Sequence, residues 1–198
     1  MSLAAFKAIL QPSPNRVAEK RVLAKPSFHH FNTDRKPMND IAIDSQLFRR
    51  VLGQFATGVT VVAARDAAGV LWGLTANAFT SVSLDPPLVL VCIDKGAGCY
   101  DAFCNAPYFS INFLAADQQD ISQRFAAKGE DRFAGVAWQP GETGAPLLAG
   151  VLGHIECARY DVLPGGDHVI LLGRVEQLAF AGGEPLLYFA GRYRQLQP

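Results

Sequence analysis

The sequence has no run of apolar residues long enough to cross a membrane, although 49% of its residues are hydrophobic. It also has no surplus of charge, because 18 Lys and Arg balance 18 Asp and Glu. A balanced chain offers no general attraction to nucleic acid. We therefore predict neither a membrane nor a nucleic-acid partner, and 198 residues suit one ordinary domain with a tail.

The four cysteines form no C-x-x-C pair, and no histidine stands at zinc-finger spacing from them. The N-terminus lacks the apolar core of a signal peptide. These absences predict reduced thiols, no metal site and a cytoplasmic protein.

Three motifs of catalysis and nucleotide binding are also missing. There is no G-x-S-x-G nucleophile motif and no Walker pattern. Gly96 and Gly98 follow a predicted strand, but the third glycine of a dinucleotide fingerprint is absent and the surrounding order is not βαβ. This argues against a Rossmann domain and leaves a tight glycine turn whose N–H groups point at an anion.

The charge that is present is unevenly spread. Residues 1–37 hold seven Lys or Arg and two acidic residues, a net of seven minus two, and show no sustained hydrophobic period. We predict a flexible basic extension over residues 1–40 and a compact domain over residues 41–198.

Strand signals dominate the compact part. The pattern predicts a helix from Asp44, with one apolar face, and helices within 94–107 and 115–129. Residues 130–147 are predicted to be loop. Extended segments are predicted at 59–65, 70–83, 88–93, 108–114, 153–163 and 168–180, and 88–93 is apolar enough to be covered on both faces. Short turns and the absence of βαβ alternation predict a mainly β protein, an antiparallel barrel that is closed or nearly closed.

One stretch, "LTANAFTSVSLDPP" at residues 74–87, is crowded with small polar side chains. Such a stretch is either a polar turn between strands or a cradle of hydroxyl and backbone N–H groups for a phosphate. His168 after a Gly-Gly-Asp turn, Lys128 and Arg132 in "FAAKGEDRF", and Tyr193 in "GRYRQL" each suit a surface position or a ligand site equally.

Several blocks together resemble the short-chain flavin reductases, the reductase components of two-component flavin-dependent monooxygenases. They are "FRRVLGQFATGVTVVAA", "GLTANAFTSVSLDPPLVLVCI", "FSINFLAADQQDISQRFA", "GDHVILLGRVE" and "GRYRQL". The resemblance covers roughly residues 45–196. It implies an FMN-binding split β-barrel that works as a homodimer, and reduction of FMN or FAD by NADH or NADPH. It also implies that reduced flavin passes to a partner monooxygenase.

The resemblance also assigns site residues. Thr75, Ala76 and Asn77 would lie along the flavin ring and ribityl chain, and Ser81, Val82 and Ser83 would hold the phosphate. The remaining flavin contacts would be Cys92, Ile93, Gly98, Cys99, Phe125, Ala126, Lys128 and Arg132. Family members often carry a serine where this chain has Gly98-Cys99, which puts one phosphate contact in doubt. His168 would be the catalytic residue, and His168 and Tyr193 would both border the nicotinamide.

Two other functions stay open. Split barrels also host pyridoxine phosphate oxidases, although this chain lacks an extended basic set for that substrate. A flavin-binding module without turnover is the second.

Overall fold

The structure is a computed structural model that describes residues 43–129 and 131–196. The chain divides into two compact units, Met1–Ser45 and Gln46–Pro198, and nearly all described residues belong to the second. The flexible extension predicted over residues 1–40 lies outside the described residues. Within the described part, no helix combines the length and the apolar character that a membrane crossing needs.

Three helices occur among the described residues: α1 (Ser45–Leu52), α2 (Tyr100–Asn105) and α3 (Gln119–Ala126). All three fall where the sequence predicts helix. The apolar face predicted for α1 is present but exposed: Phe48 is 52% exposed and Phe55, just beyond the helix, is 78% exposed. In contrast, α3 buries Ser122 and Phe125.

The strands confirm a mainly β, antiparallel protein. They are β1 (Thr57–Gly58), β2 (Thr60–Arg65), β3 (Leu71–Ala76), β4 (Phe79–Leu84), β5 (Pro87–Asp94), β6 (Tyr108–Phe113), β7 (Trp138–Pro140), β8 (Pro146–Leu148), β9 (Gly153–Gly165), β10 (His168–Phe180), β11 (Leu187–Phe189) and β12 (Arg192–Arg194). Seven of them form one sheet in the order β3-β2-β6-β9-β10-β5-β4, and β1-β11-β12 form a second.

The seven-stranded sheet curls on itself. Phe79 of β4 and Phe113 of β6 stand several strands apart in the sheet order. Their rings nevertheless meet edge to face, with centroids 5.4 Å apart. The curl encloses a core in which β2, β5, β6 and β10 place Val62, Val91, Ile111 and Leu171.

A second core lies on the other side of β2 and β3, under α3. Phe125 of α3 packs there against Phe133, with ring centroids 5.0 Å apart. Gly73 of β3 admits this packing, because a Cβ at that position would stand 2.4 Å from Cε1 of Phe125. The sequence therefore fixes α3 over β3 with a large ring on one element and no side chain on the other.

Three predictions of local structure need correction. The extended segment 70–83 is two strands, β3 and β4, separated at residues 77–78. The predicted loop 130–147 contains β7 and the start of β8, a short hairpin whose turn is fixed by the buried carboxylate of Glu156. Residues 88–93 are fully covered on one face only, because β5 alternates buried and half-buried residues.

Candidate functional site

Two clefts lie along β3, one at each end. A cleft of about 200 Å³ is lined by residues that include Thr75, Asn77, Ala126 and Tyr193. A cleft of about 440 Å³ is lined by Val70–Gly73 and by Gly98, Cys99, Gly129, Asp131 and Arg132. We call them the Tyr193 cleft and the Arg132 cleft. Since residues rise by about 3.3 Å each along a strand, β3 connects the two over roughly 15–20 Å.

The Tyr193 cleft brings together residues that the sequence assigns to different ligands. Thr75 and Asn77 were assigned to flavin through the resemblance, as was Ala126, whereas Tyr193 was assigned to nicotinamide. Ala76 lies between the first two but is buried, and its carbonyl oxygen accepts a hydrogen bond of 2.7 Å from Thr60 Oγ1. The cleft therefore offers Thr75 and Asn77, but not the side chain of Ala76, to a ligand.

Sequence reasoning missed Val59, Tyr188 and Ser122 in this cleft, and of these Ser122 bonds two other residues of the lining. Its hydroxyl lies 2.9 Å from the phenol oxygen of Tyr193, and its carbonyl oxygen accepts a 2.6 Å hydrogen bond from Thr75 Oγ1. Val59 and Tyr188 complete the lining. The available signal was the position of Ser122 between Ile121 and Phe125 in a predicted helix, where a serine among core-facing residues needs a hydrogen-bond partner.

The lining of the Arg132 cleft is largely apolar apart from one cation, Arg132, and one acidic residue, Asp131. Arg132 Nη1 donates a 2.6 Å hydrogen bond to the carbonyl oxygen of Gly73. Its Nε atom is buried and has no hydrogen-bond partner among the described residues. A buried donor without a partner costs free energy, so the arrangement favours an acceptor that arrives with a ligand.

Cys99 lies beside this arginine at the start of α2. It is only 2% exposed. Burial raises the pKa of the thiol, and the neighbouring Arg132 charge only partly opposes that rise. The thiol is therefore protonated at neutral pH, and it is a weaker hydrogen-bonding group than a hydroxyl.

The third helix and the loop after it divide their residues between core and surface. Phe125 is 1% exposed and belongs to the core against Gly73 and Phe133. Ala126 reaches the Tyr193 cleft, whereas Lys128 is exposed and lines neither cleft. Of the two predicted cations, the structure therefore brings only Arg132 to β3.

The predicted phosphate residues lie apart from both clefts. Ser81, Val82 and Ser83 are on β4, an edge strand of the seven-stranded sheet. Ser81 and Val82 are exposed, and Val82 sits at a bulge where Ser81 pairs with Val89 and Ser83 with Leu88. Of the neighbouring β5 residues, Ile93 is buried in the core and Cys92 is half-buried, with a pKa that burial raises.

His168 begins β10 at the tip of the β9–β10 hairpin. Its Nδ1 atom lies 2.7 Å from Oδ1 of Asp167, and 42% of its side chain is exposed. The hydrogen bond from His168 is the largest cause of the lowered pKa of Asp167, which is therefore ionised at neutral pH. An ionised carboxylate accepts from Nδ1–H, which leaves Nε2 available to a ligand. His168 lines neither of the two clefts along β3.

The residues along β3 fit a flavin. Hydroxyl and amide groups at the Tyr193 cleft suit the polar edge of the ring and the ribityl chain. The apolar lining of the Arg132 cleft suits an aromatic group, and the unpartnered Nε of Arg132 suits a phosphate oxygen. Both kinds of group belong to one flavin nucleotide.

Comparisons with known proteins agree with this chemistry. The chain is 48% identical over 150 residues to a probable flavin reductase of Rhizobium meliloti, covering 76% of this chain and 48% of that protein. It is 42% identical over 158 residues to the reductase subunit HsaB of a flavin-dependent monooxygenase from Rhodococcus jostii, covering 79% of this chain and 80% of that subunit. The chain thus spans about half the length of the first relative.

A solved structure and a family model point the same way. The NADH:FAD oxidoreductase SgcE6 of Streptomyces globisporus, in complex with NAD and FAD fragments, matches with a TM-score of 0.75 and 43% identity. That match covers 78% of this chain and 94% of SgcE6. The family model described as a flavin reductase like domain matches residues 52–197. The chain belongs to the flavin reductase-like family.

Proposed function

We propose that the protein is an NADH-dependent flavin reductase that reduces FAD and supplies it to a partner monooxygenase. The observation that carries the proposal is the Tyr193 cleft, where Thr75, Asn77 and Tyr193 meet. Relatives of the chain carry names that fit, among them an NADH-dependent FAD reductase of Streptomyces globisporus. FMN in place of FAD and NADPH in place of NADH are the alternatives that the experiment below separates.

The roles of the residues follow from their positions. A bound flavin would supply a two-electron acceptor for the hydride of reduced nicotinamide. Thr75 and Asn77 would orient the polar edge of the ring, and Tyr193 would close the cleft on the nicotinamide side. Arg132 would bind a phosphate oxygen through Nε and hold β3 through Nη1. The residues of the chain would align the flavin and the reduced nicotinamide, and this alignment lowers the entropic part of the activation barrier.

His168 is proposed to position the nicotinamide from the rim. Asp167 fixes its ring through Nδ1, so Nε2 can accept a hydrogen bond from a carboxamide N–H. Because His168 lies outside the two clefts along β3, this role requires that the donor extend toward the β9–β10 hairpin, or that a second copy bring its hairpin there.

A homodimer is part of the proposal. Leu178 is 69% exposed and Phe180 is 88% exposed, both near the end of β10. Exposed apolar side chains this close together favour burial against another chain. Light scattering coupled to size exclusion should give twice the monomer mass of 21.4 kDa. The monomer mass alone would contradict the dimer.

The function is tested by following NADH or NADPH absorbance in the presence of FAD, FMN or no added flavin. We expect rapid oxidation of NADH that depends on FAD. Flavin binding without oxidation of either nicotinamide would favour the non-catalytic module, and oxygen-dependent turnover of pyridoxine phosphate would favour the vitamer oxidase.

The role of His168 is tested by His168→Ala. We expect kcat/KM for NADH to fall by about tenfold to a hundredfold through lost alignment, with flavin affinity retained. His154→Ala is the matched control, because His154 is a half-buried histidine of β9 that lines neither cleft along β3. Parent kinetics in His168→Ala would contradict the role.

A further inference from the structure

Ser122 joins two residues that line the Tyr193 cleft from different elements. It is 0% exposed. Its hydroxyl meets the phenol of Tyr193 on β12 at 2.9 Å, and its carbonyl oxygen receives the hydroxyl of Thr75 on β3 at 2.6 Å. Ser122 of α3 thus connects β3, the strand proposed to hold flavin, with β12, the strand proposed to contact nicotinamide.

Apart from the hydrogen bond to Ser122, Tyr193 is held by packing against the second core and against Tyr188. Its strand, β12, has three residues and, within residues 43–129 and 131–196, pairs only with β11, itself three residues long. Its ring packs edge to face on Tyr188, with centroids 5.4 Å apart, and both neighbours, Arg192 and Arg194, are exposed. Apolar packing of the ring sets no direction for the phenol oxygen, whereas a hydrogen bond there fixes where that oxygen lies.

The orientation of this ring bears on more than one cavity. Tyr193 lines the Tyr193 cleft and also an adjoining cleft of about 530 Å³, whose lining includes Gln119 and Arg194. Tyr193 is the residue that the two linings have in common. The Tyr193 ring therefore forms part of the wall of both clefts. The hydroxyl of Ser122 fixes the position of its phenol oxygen.

We propose that Ser122 is a positioning residue that holds Tyr193 against the nicotinamide side of the flavin site. The inference rests on the proposed function. Because Ser122 is fully buried and its hydroxyl lies against the phenol, we assign that hydroxyl to Tyr193 rather than to flavin or nicotinamide. Without it, the phenol loses its described partner and turns toward any acceptor or water in the cleft, so the wall loses its fixed position.

The experiment measures steady-state kinetics and binding for the parent chain, Ser122→Ala, Tyr193→Phe and the double variant. A lost neutral hydrogen bond corresponds to roughly a three- to tenfold change. We expect KM for NADH to rise by that factor in Ser122→Ala and kcat to change by less than about twofold, because the contact acts equally before and during hydride transfer. Flavin affinity, followed by fluorescence titration, should stay within about twofold of the parent.

The double variant separates positioning from simple structural support. If Ser122 acts through the phenol, Tyr193→Phe reproduces the effect of Ser122→Ala, and combining them adds nothing further. Dissociation constants for NAD⁺, measured without turnover, should show the same pattern. Tyr193→Phe also keeps the test valid should Ser122→Ala fold poorly, since it breaks the same hydrogen bond from a half-buried position.

Ser110→Ala is the matched control. Ser110 is also 0% exposed, and its hydroxyl is hydrogen-bonded to partners that include the carbonyl oxygen of Pro146. It lies in β6 and lines none of the three clefts, neither the two along β3 nor the adjoining one. We expect Ser110→Ala to lower the melting temperature and leave KM for NADH unchanged.

Two results would overturn the inference while the parent remains active. In the first, Ser122→Ala changes only the melting temperature. In the second, the changes in KM of the two single variants multiply in the double variant. A parent that neither binds NAD⁺ nor oxidises NADH overturns the proposed function and the inference together.

Discussion

Thr75 and Thr80 are neighbours in sequence, and each stands on a strand of the same sheet. Thr75 on β3 is half-buried and donates a 2.6 Å hydrogen bond to α3 across the Tyr193 cleft. Thr80 on β4 is exposed, and its hydroxyl donates a 3.3 Å hydrogen bond to the carbonyl oxygen of the adjacent Ser81. The hydroxyl of Thr75 lies in a cleft between β3 and α3, whereas the hydroxyl of Thr80 lies on the exposed edge strand of the sheet.

The difference shows that composition locates a polar segment but not the site within it. β3 is covered by α3, so its hydroxyl meets a fixed partner. β4 ends the sheet, so its hydroxyls and its unpaired backbone groups face outward, where a second chain or a ligand can meet them. The β3 groove, meaning the two clefts along β3, and the β4 edge are therefore two candidate places for parts of one flavin.

The largest expected effect is the loss of stability in Gly73→Ala, which changes the packing of the β3 groove directly. The added Cβ would stand 2.4 Å from Cε1 of Phe125. Overpacking of this kind costs about 1–3 kcal/mol of the free energy of unfolding, and here it displaces α3 from β3. Urea denaturation measures the loss. Gly58→Ala is the control, because nothing lies within 4 Å of its added Cβ. Equal stability of the two variants would contradict the packing.

Arg132→Met should weaken flavin binding by about tenfold to a hundredfold, the value of a charge-assisted hydrogen bond to phosphate. Lys128→Met removes the same charge from an exposed position outside both clefts and should change the affinity by less than about twofold. Quenching of flavin fluorescence gives both dissociation constants. Similar losses in the two variants would mean that the general field, rather than the buried Nε of Arg132, attracts the flavin.

Ser81→Asp tests the β4 edge. If the flavin phosphate lies there, the new carboxylate repels it and weakens binding by roughly fivefold, a modest factor because the site is exposed and screened by salt. Ser81→Ala isolates the loss of the hydroxyl from the gain of charge. Parent affinity in Ser81→Asp would remove Ser81 from the phosphate site and leave Arg132 as the better assignment.

Thr75→Val and Thr80→Val form the matched pair that sharpens the comparison most simply. Both exchange a hydroxyl for a methyl group of similar size. Thr75→Val loses the hydrogen bond to the Ser122 carbonyl and should cost about 1 kcal/mol of stability and weaken flavin binding by roughly threefold. Thr80→Val should change neither measurably. A reversed order would place the functional hydroxyl on β4.

The smallest effect concerns the turn that carries β3. Asp66 accepts hydrogen bonds from Trp72 Nε1 at 2.8 Å and from the N–H groups of Ala68 and Val70. The bond from Trp72 is the largest cause of the lowered pKa of Asp66. A lowered folded-state pKa means that the stabilisation is complete at neutral pH and is lost as pH falls below the ordinary carboxyl range.

This acid transition is observable at Trp72. In a Trp138→Phe background, where Trp72 is the remaining tryptophan, its fluorescence should change as pH falls through the lowered pKa of Asp66. Asp66→Asn in the same background should show no such change. An acid transition of equal size in that variant would assign it to another group.

The sequence predicts the helices and the long β9–β10 hairpin well, since periodicity, β-branched runs and Gly-Pro turns are local signals. It does not reveal that β3 and β4 part at residues 77–78, because both are extended and no glycine or proline marks the break. It also misses the β7–β8 hairpin, whose turn depends on the carboxylate of Glu156 from another strand.

The residues of the candidate site also fall into two groups, those that the sequence predicts and those that it does not. Thr75, Asn77 and Tyr193 are predicted from sequence through resemblance, and the structure brings them together in one cleft. Ser122 is not found, because its importance lies in two partners 47 and 71 residues away. Contacts between such distant residues are set by the packing of α3 on β3, which no local pattern encodes.

The most direct test of the central claim, that the β3 groove binds the flavin, is a crystal structure of the protein with FAD. We predict the flavin ring at the Tyr193 cleft, with Thr75 and Asn77 at its polar edge, and a phosphate oxygen on Nε of Arg132. A flavin bound along β4 or elsewhere, with the β3 groove empty, would contradict the claim.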